Sequence, residues 1–283
     1  MAAVLVLAAA LVGLPLALFL AQERLIFHPQ PLSEARRLVI AKQYPWVEQV
    51  YLEAPDGARL HAWRVHGRKG ERAQGQPGAP LSVVLYFGGN AEDVAWMIPE
   101  AAARAPGFDW LLISYRGYGG SEGSPSEAKL SADALLWHDY ATRKLGAEQV
   151  VLFGRSLGSG PAVHVASQRS VAALVLVTPF DSLVAVAKRH YPLLPVGLLL
   201  RHRFDSLALA PHIRAPLLCI ASARDQVVPA EHARRLYEAW DGPKRWLELE
   251  GAGHNDTDGA PAFWPNVEAF LQQWTARQQA NRP

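Results

Sequence analysis

The sequence has little cysteine and little charge imbalance. Its 283 residues include one cysteine, Cys219, so no disulfide can form within the chain. Cys219 lies in the apolar run LLCIA, where burial is its expected role. The formal net charge is only +2, which gives no signal for a polyanion and argues against a nucleic-acid partner. The sequence shows neither metal-ligand spacing nor the lysine of a phosphate loop, so we expect no metal and no other cofactor.

Charge is also missing from the start of the chain. Residues 2–21 carry no charged side chain, and this length is about what a helix needs to cross a bilayer. No Lys or Arg precedes Arg24, and Phe19 stands where signal cleavage needs a small residue, which favours an uncleaved anchor. We predict a single-pass membrane anchor over residues 1–22. The nearby basic residues all follow it, which weakly favours the cytoplasm for the rest of the chain.

The remaining sequence predicts one α/β domain. Residues 23–46 are interpreted as an extended connector, because two prolines in LIFHPQPLSEARRL prevent a continuous helix. Two strands joined by a turn at Asp56 and Gly57 should follow, and then an exposed loop, GRKGERAQGQPGAP. From Leu81 onward, uniformly apolar runs alternate with helical stretches. This alternation predicts a mainly parallel central sheet with helices on both faces, within a catalytic domain over residues 47–283.

The alternation lapses between about residues 179 and 215. This stretch is apolar, broken by prolines and too long for a simple connection. We interpret it as a small cap over the functional site. Its Leu and Val content favours an apolar group in the substrate.

A GxSxG pentapeptide follows the apolar run QVVLF and precedes a helical pattern. It reads Gly154-Arg155-Ser156-Leu157-Gly158. A sharp turn between strand and helix pushes the serine hydroxyl out of the sheet, and the glycines let the two backbones approach closely. The alternative is a glycine-rich turn with an idle serine. The strand and helix context favours Ser156 as a nucleophile.

A serine hydroxyl needs a base to remove its proton, and the base needs an acid to orient it. His254 lies in a glycine-rich loop after the last apolar strand, where an α/β-hydrolase arrangement delivers its base. Asp225 follows the run PLLCIA and completes the order Ser, Asp, His that this arrangement requires. Asp181, after the run AALVLV, is the alternative acid.

Acyl transfer also needs backbone donors for the developing oxyanion. The amide of Leu157 should be one of them. The loop after the run SVVLYF should supply the other, with Asn90 as first choice and Gly89 as second. A plain glycine turn is the alternative interpretation of this loop.

A further loop follows the run WLLIS on the same edge of the predicted sheet. Its Tyr115 and Arg116 either contact a substrate or brace the neighbouring loops. We include both residues, with Asp181, in a possible substrate pocket.

With these residues the chain resembles the membrane-anchored α/β-hydrolases of the Bem46 and YfhR-like type, and is similar to the mammalian ABHD13 and ABHD17 groups. The likeness spans nearly the whole chain. It rests on the segments ERLIFHP, GGNA, YRGYG, GRSLG, RDQVVP and GAGHND. The group usually has His-Gly-Asn where this chain has Gly88-Gly89-Asn90, so a side-chain contact of that histidine is missing. The resemblance implies a serine hydrolase of esters or thioesters at a membrane. Some relatives remove palmitoyl groups from proteins, and others are classed as serine peptidases from their motifs.

The leading hypothesis is therefore hydrolysis of a carboxylic ester or thioester through an acyl-enzyme. The substrate would be a small or lipid-like molecule or an acylated protein, met at the bilayer that holds the N-terminal helix. A serine peptidase is the first alternative, although the cap offers only Asp181 and Asp205 to receive a substrate ammonium. A non-catalytic binding scaffold is the second, and it would not need Ser156, Asp225 and His254 together.

Overall fold

The computed structural model describes residues 13–67 and 81–280. One eight-stranded sheet lies at its centre. The strands are β1 (Val47–Glu53), β2 (Arg59–Val65), β3 (Ser82–Phe87), β4 (Asp109–Ser114), β5 (Gln149–Arg155), β6 (Ala173–Val177), β7 (Leu217–Ser222) and β8 (Lys244–Leu249). Their spatial order is β1-β2-β4-β3-β5-β6-β7-β8. The β1–β2 and β2–β4 pairs are antiparallel and all others are parallel, which confirms the predicted α/β class.

Helices connect the strands and cover the sheet. The α-helices of the described chain are α1 (Leu14–Ile26), α2 (Glu34–Gln43), α3 (Met97–Arg104), α4 (Glu127–Asp139), α5 (Ser159–Gln168), α6 (Leu183–His190), α7 (Val196–Leu199), α8 (Ser206–Leu209), α9 (Ala230–Ala239) and α10 (Phe263–Ala280). Short 3₁₀ turns occupy Val94–Trp96, Ser156–Gly158, Ala210–His212 and Thr257–Gly259, and a π-helical turn occupies Tyr140–Lys144.

The central strands are apolar throughout because both faces of the sheet are covered. In β3, Val83, Leu85 and Phe87 enter one core, and Val84 and Tyr86 enter the other. Helices α4, α5 and α9 contribute to the first core, while α3 and α10 contribute to the second. The alternation follows from the two-residue period of a strand.

The predicted hairpin at the start of the sheet is confirmed. Strands β1 and β2 pair antiparallel, and Gly57 in the turn between them has φ +82°. The connector differs from its prediction, because α2 follows the proline-containing segment. Ser33 caps this helix by accepting a hydrogen bond from the amide of Arg36, a local signal for a helix start that the extended interpretation overlooked.

Only part of the predicted N-terminal anchor falls within the described residues. Residues 1–12 and the predicted exposed loop at 68–80 lie outside them. Helix α1 continues to Ile26, beyond the predicted end of the anchor at residue 22. Among the described residues, no helix combines the length and apolar character needed to cross a membrane.

The parallel strands bring the predicted functional residues to one edge of the sheet. The loops after β3, β5, β7 and β8 carry Asn90, Ser156, Asp225 and His254. The strand order reverses between β3 and β5, and open α/β sheets bind ligands at such a point. The topology therefore places one site at this edge.

Candidate active site

Ser156 sits on a strained turn between β5 and α5. Its φ is +49°, a left-handed conformation that a residue with a side chain adopts only when its surroundings enforce it. Gly158 shows the crowding, because a Cβ atom there would overlap the carbonyl oxygen of Phe87 at the end of β3. The predicted close approach of strand and helix is therefore present, and it lifts Ser156 from the sheet edge.

The structure brings Ser156, His254 and Asp225 into one hydrogen-bonded chain. His254 Nε2 lies 2.8 Å from Ser156 Oγ, and His254 Nδ1 lies 2.6 Å from Asp225 Oδ2. The other carboxylate oxygen of Asp225 accepts hydrogen bonds from the amides of Val227 and Val228, both at 2.8 Å. The buried carboxylate is thus fixed and favours a proton on Nδ1, which leaves Nε2 free to accept one from Ser156.

Asp181, the alternative acid, belongs to a separate cluster. Its carboxylate lies 2.8 Å from His232 Nδ1 and 2.6 Å from Arg235 Nε. Burial opposes ionisation, but the hydrogen bonds from His232 and Arg235 outweigh it and hold the pKa of Asp181 below its ordinary value. Asp181 is therefore bonded to His232 and not to His254, and it does not line the cavity beside Ser156, which favours Asp225 as the acid.

The predicted oxyanion donors lie on both sides of Ser156. Leu157 is in the 3₁₀ turn that begins at Ser156, and the first amides of a helix have no partner within it. On the facing loop, the amide of Gly89 donates to Glu92 Oε2 at 2.5 Å. Since Gly89 is engaged in this way, we retain Asn90 as the donor from this loop.

Glu92, which the sequence analysis did not single out, holds this loop. Its buried carboxylate accepts hydrogen bonds from the Gly89 amide, from Tyr86 Oη at 2.6 Å and from Trp96 Nε1 at 2.8 Å. Arg155 Nη1, beside the nucleophile, lies 3.6 Å from Glu92 Oε2. Glu92 therefore links the loop after β3 to the turn that carries Ser156.

The Glu92 carboxylate lies where the side chain of a residue at position 88 would begin, and the His-Gly-Asn pattern has its histidine at that position. A Cβ atom on Gly88 would lie 2.8 Å from Val94 Cγ1 and 3.0 Å from Glu92 Oε1. A histidine side chain does not fit there unless the Glu92 carboxylate moves. The sequence signal was the combination of a glycine in place of histidine with an acidic residue four positions later.

Asn90 joins the same loop to the end of α1. Its Nδ2 donates to the carbonyl oxygen of Ile26 at 2.5 Å, and its Oδ1 accepts from the amide of His28 at 3.0 Å and from Tyr118 Oη at 2.8 Å. Burial raises the pKa of Tyr118 to about 12, so its hydroxyl keeps the proton that it donates. The chain leaving α1 is thus fastened to the residue assigned as an oxyanion donor.

Tyr115 and Arg116 brace the loops around the site. The Tyr115 hydroxyl donates to the carbonyl oxygen of Gly88 at 2.7 Å, and burial raises the pKa of this tyrosine well above its ordinary value. Arg116 forms two hydrogen bonds with Asp133, at 2.8 and 2.9 Å, and one with Asp56 at 2.5 Å. Both side chains are buried, and neither lines the cavity beside Ser156, so of the two roles expected for them the structure favours bracing of the loops.

A cavity of about 700 Å³ opens beside Ser156. It is lined by the loops at the carboxyl edge of the sheet: Gly89, Asn90, Ala91, Glu92, Asp93, Trp96, Arg155, Ser156, Val227, His254, Asn255 and Asp258. Trp96 and Val227 give it apolar walls, and three carboxylates and one guanidinium make the remainder polar. The cavity can therefore hold a substrate of mixed polarity.

The predicted cap touches the rim of this cavity without lining it. His190, at the end of α6, donates from Nε2 to the carbonyl oxygen of Val227 at 2.8 Å. The Leu and Val side chains of residues 179–215 are not among the residues that line it. Pro192 and Pro195 separate α6 from α7 within this segment. Helix α7 packs against α1, and α8 packs against α5 and α9.

Neither thiol nor metal chemistry is indicated at this edge. Cys219 is fully buried in β7, where burial raises the pKa of its thiol, in agreement with the packing role expected for it. In residues 13–67 and 81–280, no group of three or more His, Cys, Asp or Glu side chains could hold a metal ion.

The chain belongs to the α/β-hydrolase fold family. The family model described as alpha/beta hydrolase fold matches residues 82–195. The uncharacterized protein Rv2307c of Mycobacterium tuberculosis is 37% identical over 242 residues, covering 84% of this chain and 82% of the relative. The protein described as uncharacterized membrane protein YNL320W of Saccharomyces cerevisiae is 32% identical over 234 residues, covering 79% of each chain.

Solved structures share the fold at low identity. The esterase Pf2001 of Pyrococcus furiosus has a TM-score of 0.62 and 18% identity, covering 83% of this chain and 95% of its own. The esterase domain of a Rhodothermus marinus protein has a TM-score of 0.58 and 19% identity, covering 81% and 99%. At these identities the similarity shows the common architecture.

Proposed function

We propose that this protein is a serine hydrolase that cleaves carboxylic esters or thioesters through an acyl-enzyme. The observation that carries the proposal is the chain of hydrogen bonds from Ser156 through His254 to Asp225, 2.8 and 2.6 Å long. Ser156 lies on the strained turn, and both Ser156 and His254 line the cavity. A binding scaffold has no need for this combination.

In the first step, Ser156 Oγ attacks the acyl carbon as His254 Nε2 takes its proton. Asp225 stabilises the imidazolium that forms. The carbonyl oxygen becomes negative and is held by the amides of Leu157 and Asn90. The bond to the leaving group then breaks, and His254 returns the proton to the departing alcohol or thiol.

Water completes the cycle. It enters the cavity, gives a proton to His254 Nε2 and attacks the acyl carbon of the ester on Ser156. The second tetrahedral intermediate uses the same oxyanion donors. Its collapse releases a carboxylic acid and returns the proton to Ser156 Oγ.

The site works at a membrane in this proposal. Residues 1–22 anchor the chain, as in the membrane-anchored hydrolases of the Bem46 type, and the basic residues that follow this segment favour the cytoplasmic side for the catalytic domain. The yeast relative is described as a membrane protein, which supports the association with a membrane. The substrates are small or lipid-like esters and thioesters, with acylated proteins as a further class.

Labelling with a fluorophosphonate tests the proposal directly. The full-length protein in mild detergent is expected to react at Ser156 and to hydrolyse p-nitrophenyl esters and matching thioesters. Ser156→Ala should abolish labelling, and both Ser156→Ala and His254→Ala should lower kcat by about 10⁴-fold or more. Ser170→Ala, at an exposed serine on the opposite edge of the sheet, is the matched control and should behave as wild type. A folded wild type that neither labels nor turns over would contradict the proposal.

A serine peptidase is the second candidate, and one observation favours it. The cavity lining includes the carboxylates of Asp93 and Asp258, which could bind the ammonium group of a peptide substrate. The acidic residues of the predicted cap do not line this cavity. Cleavage of p-nitroanilides with a free amino terminus, at rates above those of acetylated analogues, would support this candidate. Ester hydrolysis without such cleavage would eliminate it.

A further inference from the structure

The segment between α6 and residue 200 exposes large apolar side chains. We call residues 191–200 the cap tip. Tyr191, Leu193 and Leu198 in it are 59%, 96% and 87% exposed. Single exposed leucines are ordinary on a protein surface, but several within eight residues form a patch of the kind that marks an interaction surface.

The cap tip lies against the chain that leads from the N-terminus. Gln22 of α1 accepts a hydrogen bond from the amide of Arg201 at 2.7 Å and donates to the carbonyl oxygen of Leu199 at 3.3 Å. The Arg201 guanidinium lies 5.0 Å from the centre of the Phe19 ring. The cap tip is therefore level with the last apolar turns of α1, immediately before the first charged residue, Glu23.

The same level of α1 carries its own exposed apolar stripe. Leu16 and Leu20, one helical turn apart, are 54% and 69% exposed, while Phe19 and Gln22 face the cap tip. The apolar sequence continues through residues 2–12 towards the N-terminus. The hydrocarbon core of a bilayer on the N-terminal side of Gln22 would therefore contact α1 and the cap tip together.

Basic side chains surround this apolar surface. Lys188 and Arg189 precede the cap tip, Arg201 and Arg203 follow it, and Arg24 lies on α1, all of them exposed. Glu23 lies 3.5 Å from Arg201, and Glu231 lies 3.9 Å from Arg189. An apolar patch with a basic rim complements a bilayer surface, where lysine and arginine meet lipid phosphates.

We propose that the cap tip and the exposed stripe of α1 form one surface that inserts into a lipid bilayer. The inference rests on the proposed function, which it extends by naming how the domain sits on the membrane. His190 adjoins the cap tip and binds the carbonyl oxygen of Val227 at the cavity rim, so docking sets the entrance of the site beside the lipid surface. Substrates are then esters that reside in the bilayer.

Site-specific labelling can test the docking surface, because Cys219 is fully buried and leaves no exposed thiol in the described chain. Full-length Leu193→Cys and Leu198→Cys are labelled with the fluorophore NBD and reconstituted into vesicles of phosphatidylcholine with about one-third phosphatidylserine. The anionic phosphatidylserine is included because it attracts the basic side chains around the patch. We expect emission to rise and move to shorter wavelength relative to the protein in detergent. Lipids with a quencher on the acyl chain should quench both positions.

The control is Ser170→Cys, labelled at the opposite edge of the sheet, which should stay in water and be quenched only by aqueous iodide. Equal behaviour of the probes at 193, 198 and 170 would overturn the inference. A shift already present in detergent that grows with protein concentration would also overturn it, because it would identify a second copy of this chain as the occupant.

An activity measurement separates this inference from the proposed function. The double variant Leu193→Gln and Leu198→Gln should hydrolyse a soluble p-nitrophenyl acetate at the wild-type rate, because neither residue lines the cavity. Its hydrolysis of a long-chain ester embedded in vesicles should fall about tenfold or more, the effect of withdrawing two leucines from an apolar phase. Equal rates on embedded ester would reject the docking surface, whereas absent turnover of both esters by wild type would reject the proposed function.

Discussion

Two aspartate–histidine pairs follow neighbouring strands of the same sheet, and they differ in what the histidine meets next. Asp225, after β7, lies 2.6 Å from His254, and Asp181, after β6, lies 2.8 Å from His232. His254 continues to a serine hydroxyl at the cavity edge. The second pair is buried, and Arg235 completes it as an ion cluster.

The comparison shows that a carboxylate and an imidazole at hydrogen-bond distance do not define a catalytic site. The difference arises from the strained turn at Ser156 and from the loop that Glu92 and Asn90 hold beside it. At the Asp181 pair, the same two side chains join β6 to α9. The following predictions separate these two roles.

The largest expected effect concerns the two acids. Asp225→Asn should lower kcat by roughly 10⁴-fold, because an amide favours the wrong tautomer of His254. Asp181→Asn should leave kcat within severalfold of wild type and lower the free energy of unfolding by on the order of 2 kcal/mol, because Arg235 loses its partner. Ester hydrolysis and urea unfolding on the same preparations measure both quantities. If the two variants lost activity equally, the distinction between the pairs would be wrong.

The next effect concerns Glu92. Glu92→Ala should reduce kcat about 10- to 100-fold with little change in KM, since the Gly89 loop loses its anchor and the oxyanion donors lose their alignment. Glu92→Gln keeps one acceptor oxygen and should retain more activity than the alanine variant. Glu100→Ala, on the following helix, is the control for removing a carboxylate from this region. A change in thermal stability without a change in kcat would show that Glu92 supports the fold alone.

Asn90→Ala should have a smaller effect on turnover, about tenfold, because the backbone amide remains while the side-chain bonds to Ile26 and His28 are lost. The same variant should expose the end of α1, which trypsin would report by faster cleavage after Arg24. Gln30→Ala, in the same segment but without a bond to Asn90, serves for comparison. Unchanged cleavage would mean that other contacts hold this segment.

The smallest effect is the pH dependence of the Asp181 cluster. Its folded pKa lies below the ordinary value of about 3.9, so the unfolded chain takes up the proton first as the pH falls. The stability that this carboxylate contributes is complete above about pH 4 and is lost as the pH falls through the folded pKa. The difference in unfolding free energy between wild type and Asp181→Asn should shrink over that range. A difference that stays constant down to pH 2 would contradict this account.

The parts of the molecule with local signals were predictable from the sequence. Asp56 and Gly57 marked the hairpin, because a tight turn needs backbone angles that few residue types other than Gly, Asn and Asp adopt. The βα alternation predicted a parallel sheet, and GxSxG in its context led to the turn at Ser156. The strand order then required Asp225 and His254 to reach the same edge.

The parts that depend on packing between distant segments were not predictable. Glu92 has its role only because Tyr86 and Trp96 point towards it and Gly88 leaves room for it. From the sequence alone, Arg116 was equally suited to contact a substrate, because nothing in it showed that Asp133 would lie beside its guanidinium. The cap was recognisable by its prolines and apolar content, but nothing in that pattern specified which surface it covers.

The contacts of the N-terminal segment also determine when in synthesis it can reach its place. The hydrogen-bond partner of His28 is Asn90, 62 residues later in the chain, and that of Gln22 is Arg201, 179 residues later. Until the ribosome has released Arg201, Gln22 lacks this partner, so α1 cannot take its final place before most of the sheet has been made. Helix α1 precedes the sheet in the chain but is among the last of the described elements to be fixed, and its docking marks a completed domain.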